Sequence, residues 1–183
     1  MRIFISGGCK NGKSYYAQCL AKKAKKAKEV PLYYIATMAP VDGEDNERIA
    51  RHRKEREGWG FKTIEQPRDI ENILQKCDTN GSFLLDSLTA LLANEMFQPA
   101  GKSYQLEKIS AGLSEILNRV NDIVVVSDYI YSDAEIYEPL TEEYRKSLAV
   151  LDRLAAKLCD AVLEVSYTNV IIHKGKGVFD EVS

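Results

Sequence analysis

The chain has 183 residues, and its 25 lysines and arginines against 27 aspartates and glutamates give a formal charge of −2. This length predicts one domain over residues 1–183, and the near-neutral charge argues against a protein whose whole surface binds nucleic acid. The 28% charged and 45% hydrophobic residues exclude a disordered chain, and two histidines are too few for a histidine-rich metal site.

The predicted elements alternate between apolar runs, typical of strands, and helical stretches. In chain order they are strand Arg2–Ser6, helix Lys13–Lys28, strand Val30–Thr37, helix Asn46–Glu57, helix Asp69–Cys77, strand Ser82–Asp86, helix Leu88–Phe97, helix Leu106–Asn118, strand Asp122–Asp128, helix Glu142–Leu158, strand Ala161–Ser166 and strand Asn169–His173. The first four strands are continuous apolar runs, as expected for strands buried on both faces of a parallel sheet. The alternation predicts βαβ units and a three-layer α/β domain with a mostly parallel sheet.

No membrane segment or secretory signal is expected. The apolar run at residues 1–6 is too short for the core of a signal peptide, and no stretch approaches the roughly 18 apolar residues of a membrane helix. The four cysteines are scattered and form no C-x-x-C pair; they are Cys9, Cys19, Cys77 and Cys159. We therefore expect free thiols in a cytoplasmic protein, rather than the two disulfides that an even cysteine count allows in a secreted one.

The segment after the first strand carries the strongest motif. It fits G-x-x-x-x-G-K-[ST] and consists of Gly7, Gly8, Cys9, Lys10, Asn11, Gly12, Lys13 and Ser14. In a P-loop the glycines let successive backbone N–H groups point at phosphate oxygens, and the helix N-terminus adds its positive dipole end. Lys13 is expected to reach the β- and γ-phosphates, and the Ser14 hydroxyl to bind Mg²⁺. The alternative is an ordinary glycine-rich turn between a strand and a helix.

A P-loop also needs an acidic residue at the end of a neighbouring strand to position the metal ion. Asp86 follows the apolar run Phe83-Leu84-Leu85 and is our candidate for that role. It is alternatively an N-cap for the helix that begins at Leu88. Asp128, another acid at a strand end, is its main competitor.

The segment Asp42–Glu57 is highly charged and contains one of the two histidines. Helical spacing places Arg48, His52 and Arg56 on one stripe. The positive charges of the neighbouring guanidinium groups disfavour the protonated form of His52. A neutral imidazole can act as a nucleophile, and the arginines beside it could bind a phosphate group. The alternative, which the residues alone favour, is a surface histidine on a solvated helix. The other histidine, His173, is interpreted as a structural or surface residue.

Several stretches resemble one family, the adenosylcobinamide kinase/adenosylcobinamide-phosphate guanylyltransferases of cobalamin biosynthesis. They are Ile5-Ser6-Gly7-Gly8 through Lys13-Ser14, Tyr34-Ile35-Ala36-Thr37, Glu47-Arg48-Ile49 through His52-Arg53, Trp59 with Thr63-Ile64-Glu65-Gln66-Pro67, and Leu84-Leu85-Asp86-Ser87-Leu88-Thr89 followed by Asn94. Their order and spacing agree with the family over about the first half of the chain. The Tyr-Ile-Ala-Thr strand followed by Arg-Ile-x-x-His is far more specific than the P-loop.

The resemblance implies a bifunctional transferase with a RecA-like α/β core that forms a homotrimer. It implies that the hydroxyl of the aminopropanol arm of adenosylcobinamide is phosphorylated with ATP or GTP. GMP is then moved from GTP onto that phosphate through a guanylyl-histidine, which falls on His52. The nucleotide-binding positions implied outside the P-loop are Ala36, Thr37, Arg53, Glu65 and Asp86, with Ser14 and Asp86 holding Mg²⁺.

The second half departs from the family pattern. Where the family has Thr-Asn-Glu-Val-Gly, this chain reads Ser127-Asp128-Tyr129-Ile130-Tyr131, and of a later helix motif only the pair Tyr144-Arg145 survives. The tyrosines of this region are expected either to pack at an interface or to replace substrate contacts. Two alternatives therefore stand beside the bifunctional enzyme: another P-loop small-molecule kinase, and a diverged nucleotide-binding paralogue without transferase activity.

Overall fold

The computed structural model of the chain describes residues 1–40, 43–97 and 106–177, without the side chains of residues 24–28, 44–46, 48, 52 and 55. Seven strands and six helices lie in these ranges. The strands are β1 (Arg2–Ser6), β2 (Leu32–Ala36), β3 (Lys62–Glu65), β4 (Ser82–Asp86), β5 (Asp122–Val126), β6 (Ala161–Ser166) and β7 (Asn169–Lys174). The helices are α1 (Lys13–Lys28), α2 (Gly43–Glu55), α3 (Ile73–Lys76), α4 (Leu88–Met96), α5 (Leu106–Arg119) and α6 (Pro139–Leu158), with a 3₁₀ turn at Ile70–Asn72.

The strands form one seven-stranded sheet in the order β3-β2-β4-β5-β1-β6-β7. All neighbours pair in parallel except β6 and β7, which form an antiparallel hairpin. The strand β5 lies between β1 and β4, so the segments after these three strands meet at one edge of the sheet.

The core consists of two apolar clusters, one on each face of the sheet. On one face, Ala17 and Ala21 of α1 pack on side chains of β1, β4 and β5. On the other face, helices α3 to α6 pack over a larger cluster that contains Phe83 and Val125. The chain is therefore a three-layer α/β structure, as predicted, and β5 is buried along its whole length.

Two predictions of local structure are wrong. Strand β3 is missing from the predicted elements, because this edge strand is short, mostly exposed and without an apolar run. The predicted helix Asp69–Cys77 is instead a 3₁₀ turn followed by the four-residue helix α3. Asp69 adopts a left-handed conformation with φ of 47°, and its N–H donates to Glu95 Oε1 at 2.8 Å, so the buried carboxylate of α4 fixes the entry to this segment.

The other predicted elements are present, four of them with the predicted ends and the rest with shifted ends. The strand predicted at Val30–Thr37 is two residues shorter at its start, and the strand predicted at Asp122–Asp128 ends at Val126, so Ser127 and Asp128 belong to the loop beyond it. The four cysteines are free thiols, and burial raises the pKa of Cys159 to about 12. Within the described residues, no helix combines the length and the apolar character needed to span a membrane.

Candidate active site

The phosphate loop connects β1 to α1 and is closely packed at its first glycine. Gly7 has φ of +148°, and a Cβ there would lie 2.2 Å from the carbonyl oxygen of Val165 on β6. Its own carbonyl accepts a hydrogen bond from the N–H of Tyr129 at 3.0 Å. Gly12 has φ of +85°, a conformation that favours glycine. The loop is therefore fixed between β6 and the segment after β5.

The side chain of Lys13 lies inside this loop rather than in solvent. The residue is 5% exposed, and its Nζ donates to the Gly8 carbonyl oxygen at 2.6 Å and to Asp128 Oδ1 at 2.8 Å. The turn between β6 and β7 borders the same loop, because Thr168 Cγ2 lies 3.9 Å from the position of a Cβ on Gly12. The ammonium group therefore lies inside the loop, where the motif is expected to bind the phosphates of a nucleotide.

Asp128 approaches the loop from the end of β5. Its backbone N–H donates to Thr89 Oγ1 at 2.9 Å, and the Thr89 carbonyl accepts from the Tyr144 hydroxyl at 2.9 Å. Its side chain is 20% exposed, so it is partly desolvated and still reachable from solvent. Sequence analysis named Asp128 only as a second metal candidate and did not predict its contact with Lys13.

Asp86 ends β4 and has a different partner. Its Oδ2 accepts a hydrogen bond from the Tyr34 hydroxyl at 2.8 Å. The Arg56 guanidinium lies over the Tyr34 ring at 3.6 Å, and Phe61 meets the same ring edge-on. Arg56, expected on an arginine stripe of helix α2, instead follows the end of that helix and is 8% exposed. It covers the tyrosine that orients Asp86.

The residues expected to bind nucleotide after β2 join two strands of the sheet. Ala36 ends β2, and Thr37 is fully buried. The Thr37 hydroxyl donates to the Ser87 carbonyl oxygen at 2.8 Å and accepts from the Ser87 N–H at 2.7 Å, while Asn94 Nδ2 donates to the Thr37 carbonyl oxygen at 2.5 Å. The Thr37 side chain therefore fixes the segment after β4 instead of facing an open site.

Two of the implied nucleotide-binding residues outside the P-loop, Arg53 and Glu65, lie in contact with each other. Arg53 of α2 pairs with Glu65 at the end of β3, and both side chains are largely exposed. They line a groove of about 920 Å³ together with Arg56, Phe61 and residues between them. This groove lies beside α2 and the edge strand β3, and three strands separate β3 from β1, which leads into the phosphate loop.

The structure describes the side chain of only one of the two histidines. His52 lies in α2, between Arg51 and Arg53, and its side chain is outside the described part of the structure. The same holds for the side chain of Arg48, and Asp42 lies outside the described residues altogether. His173 lies on β7, is largely exposed, and has its Nε2 2.8 Å from Glu164 Oε2.

The residues at the phosphate loop fit a magnesium ion that arrives with a nucleotide. No cluster of three or more His, Cys, Asp or Glu side chains that would cage a metal ion occurs among the described residues. Magnesium that binds with nucleotides needs no such cage, since one or two protein oxygens and the phosphates suffice. The hydroxyl of Ser14 and the carboxylate of Asp86 are hard oxygen donors of this kind, and the Tyr34 hydroxyl gives Asp86 the orienting partner that metal-binding carboxylates usually have.

In the tyrosine-rich segment after β5, Tyr131 packs within the chain, while Tyr129 and Tyr137 remain partly exposed. The Tyr131 hydroxyl donates to Asp152 Oδ2 of α6 at 3.0 Å, and its ring contacts Tyr129. Arg145 is buried and donates to Asp133 at 2.8 Å and to the Ile130 carbonyl oxygen at 3.1 Å. Burial raises the pKa of Asp152 to about 6, and the negative charge of Asp128 adds to this shift. Sequence analysis missed Asp152, because nothing in a helical pattern marks a carboxylate that tertiary packing buries.

Comparison with known proteins places the chain among cobalamin biosynthesis proteins. A model of the cobinamide kinase / cobinamide phosphate guanyltransferase family matches residues 3–168. The chain is similar to the bifunctional adenosylcobalamin biosynthesis protein CobP of Pseudomonas aeruginosa, with 30% identity over 165 residues, which cover 88% of this chain and 91% of that protein. It is also similar to the protein CobU of Escherichia coli, with 30% identity over 103 residues, or 55% of this chain and 53% of that protein.

Comparison with solved structures bears on the fold alone. The chain is similar to a KaiC-like protein, PH0186, from Pyrococcus horikoshii, with a TM-score of 0.52 and 14% identity over 96% of this chain and 79% of that one. The predicted three-layer P-loop fold of the RecA-like type is confirmed.

Proposed function

The chain belongs to the cobinamide kinase / cobinamide phosphate guanyltransferase family, and on that premise we propose that it is a bifunctional transferase with two reactions at one nucleotide site. In the first, it phosphorylates adenosylcobinamide with ATP or GTP. In the second, it transfers GMP from GTP to that phosphate through a guanylyl group on His52 and yields adenosylcobinamide-GDP. The observation that carries the proposal is the P-loop of residues 7–14 with the Lys13 ammonium buried inside it.

The proposed first reaction depends on positioning and charge stabilisation, as phosphoryl transfer generally does. The N–H groups of the phosphate loop and Lys13 Nζ bind the phosphate oxygens and stabilise the charge that develops on the leaving diphosphate. Ser14 and Asp86 are the residues that would hold Mg²⁺. When it is bound, Mg²⁺ neutralises charge on the β- and γ-phosphate oxygens.

The proposed second reaction places the nucleophile on α2. A ring nitrogen of His52 forms a bond to the α-phosphorus of GTP, and pyrophosphate leaves with the electron pair of the broken bond. The phosphate of the corrinoid then attacks the same phosphorus and releases the histidine. The cationic groups that support this placement are Arg51 and Arg53, which flank His52 in sequence, and Arg56 at the end of the helix.

The test is incubation with GTP and Mg²⁺, followed by intact mass measurement and peptide mapping. We expect an acid-labile mass increase of one GMP on the peptide that contains His52, and its complete loss in His52→Ala. The matched control is His173→Ala, which removes the other histidine, an exposed residue of the edge strand β7. It should form the adduct like the unchanged protein.

Each other outcome selects a different function. Phosphorylation of adenosylcobinamide without an adduct indicates a kinase in which His52 has no covalent role. Saturable nucleotide binding without turnover indicates a paralogue that has lost transferase activity. Full guanylyl transfer by His52→Ala would refute the proposed mechanism. The proposed homotrimer is tested separately by sedimentation of the protein with and without nucleotide.

A further inference from the structure

The carboxylate of Asp128 is a charged group at the phosphate loop to which the proposed function gives no role. Its Oδ1 lies 2.8 Å from Lys13 Nζ, and the Cys9 sulfur is 4.0 Å from the same oxygen. Two backbone contacts fix its position: its own N–H donates to Thr89 Oγ1 at 2.9 Å, and the N–H of Tyr129 donates to the Gly7 carbonyl oxygen at 3.0 Å. The carboxylate is therefore held at a set position relative to the phosphate loop.

The contact with Lys13 places this carboxylate near the part of the loop that is expected to bind the β- and γ-phosphates. A P-loop lysine binds β- and γ-phosphate oxygens, and its ammonium group carries three tetrahedral donors. A phosphate oxygen that takes the place of the Gly8 carbonyl at Lys13 would therefore lie about 4–5 Å from Asp128 Oδ1. An acceptor hydroxyl within roughly 3.5 Å of the phosphorus has room to donate a hydrogen bond to that carboxylate.

The negative charge of Asp128 is unfavourable next to a bound nucleotide, which indicates a catalytic role that requires it. A carboxylate beside a triphosphate repels it, and an asparagine of the same shape would hold Lys13 and Thr89 without that repulsion. A metal ion bound to this carboxylate would lie beside the ammonium group of Lys13, which is 2.8 Å from Oδ1, and the two positive charges would repel each other. On the neighbouring strand, Asp86 accepts its hydrogen bond from the Tyr34 hydroxyl instead.

We propose that Asp128 is the general base of the phosphorylation reaction, an inference that rests on the proposed function. The acceptor oxygen forms a bond to the γ-phosphorus while the bond from that phosphorus to the bridging oxygen breaks. The leaving diphosphate keeps the electron pair of the broken bond, and the hydroxyl proton moves to the carboxylate of Asp128. The side chain is 20% exposed, so the proton can pass to solvent afterwards.

The second reaction needs no such base. A neutral histidine attacks with a lone pair and has no proton to lose from the attacking nitrogen. The γ-phosphate, where Asp128 lies, departs within the pyrophosphate. A substitution that removes the base while keeping the shape should therefore separate the two reactions.

The test compares Asp128→Asn with the unchanged protein in both reactions. We expect the rate of adenosylcobinamide phosphorylation to fall at least about 100-fold, the usual contribution of a general base. We expect the dissociation constant of the nucleotide to tighten about fivefold, because a repelling charge is removed. Guanylylation of His52 and the half-saturating Mg²⁺ concentration should stay unchanged, and these two readouts do not depend on the phosphorylation rate.

The matched control is Asp133→Asn, the same change in the same segment, where the carboxylate pairs with Arg145 and not with Lys13. It should phosphorylate at the normal rate. A phosphorylation rate of Asp128→Asn within about threefold of normal overturns the inference while leaving the proposed function intact. A joint loss of both reactions with a raised Mg²⁺ requirement also overturns it and assigns Asp128 to the metal ion. An unchanged protein that phosphorylates no corrinoid refutes the proposed function instead.

Discussion

Among the individual side chains, the two aspartates Asp152 and Asp160 should respond to pH in opposite directions. Asp152 is 3% exposed, and burial raises its pKa to about 6. The folded protein therefore binds this proton more tightly than the unfolded chain, and the free energy of unfolding falls as pH rises from about 4 through 6. For Asp160, a hydrogen bond from Arg2 lowers the pKa, so its stabilisation is present above pH 4 and is lost as pH falls below it.

Asp152→Asn should accordingly stabilise the protein at pH 8 by about 1–3 kcal/mol and change little at pH 4. The amide oxygen of asparagine can still accept the hydrogen bond from Tyr131 that Asp152 accepts now. Asp160→Asn should destabilise at pH 8 and lose its effect in acid. Urea unfolding of both variants between about pH 2 and pH 8 measures this, because Asp160 titrates below pH 4. The same pH trend in both variants would show that the burial of Asp152 does not control its titration.

Within the phosphate loop, Gly7 packs so closely against β6 that no side chain fits at this position. A Cβ at Gly7 would lie 2.2 Å from the Val165 carbonyl oxygen, and the backbone there has a positive φ. The strands β1 and β6 pair through residues up to Ser6 and Glu164, so the clash falls directly beyond their last paired residues. This closeness fixes the start of the loop before the helix α1 begins.

Gly7→Ala should therefore lower the free energy of unfolding by about 3 kcal/mol or more, from steric overlap and backbone strain together. The matched control is Gly43→Ala at the start of α2, where a Cβ meets nothing within 4 Å. That control should change stability by less than about 1 kcal/mol. Denaturant unfolding measures both, and equal stability of the two variants would show that β6 can move away from the loop without loss.

Across the whole molecule, the phosphate site is built from segments that lie far apart in the sequence. The loop follows β1, Asp128 follows β5, Asp86 ends β4, and the Val165 carbonyl comes from β6. A ligand that binds this site only in the folded protein stabilises the folded state as a whole.

A non-hydrolysable GTP analogue with Mg²⁺, at about 100 times its dissociation constant, should add about 2.7 kcal/mol to the stability. For a domain of this size, that raises the midpoint of thermal unfolding by about 5–10 °C. Lys13→Ala should show no such shift, while Lys146→Ala, an exposed residue of α6, should keep it. Differential scanning calorimetry checks this, and an equal shift in Lys13→Ala would place the nucleotide elsewhere.

The sequence by itself determined the local parts of this protein: the strand Arg2–Ser6, the glycines and lysine of the loop, the helix Lys13–Lys28 and the parallel α/β class. These follow from short-range rules, since apolar runs, glycine conformations and helix starts depend on residues close in the chain. These rules did not predict the edge strand β3, because an exposed strand of four residues has no apolar run.

Only the tertiary structure decided which distant residues meet. The pairing of β5 with both β1 and β4 puts Asp128 against Lys13, and the packing of α6 buries Asp152 beneath the same segment. In the folded chain, Arg56 lies over the Tyr34 ring instead of belonging to the expected arginine stripe. The Thr37 hydroxyl donates its hydrogen bond to the Ser87 carbonyl oxygen. The order of strands in a sheet depends on long-range pairing that no local pattern encodes, and that order determined which of the two strand-end aspartates contacts the P-loop lysine.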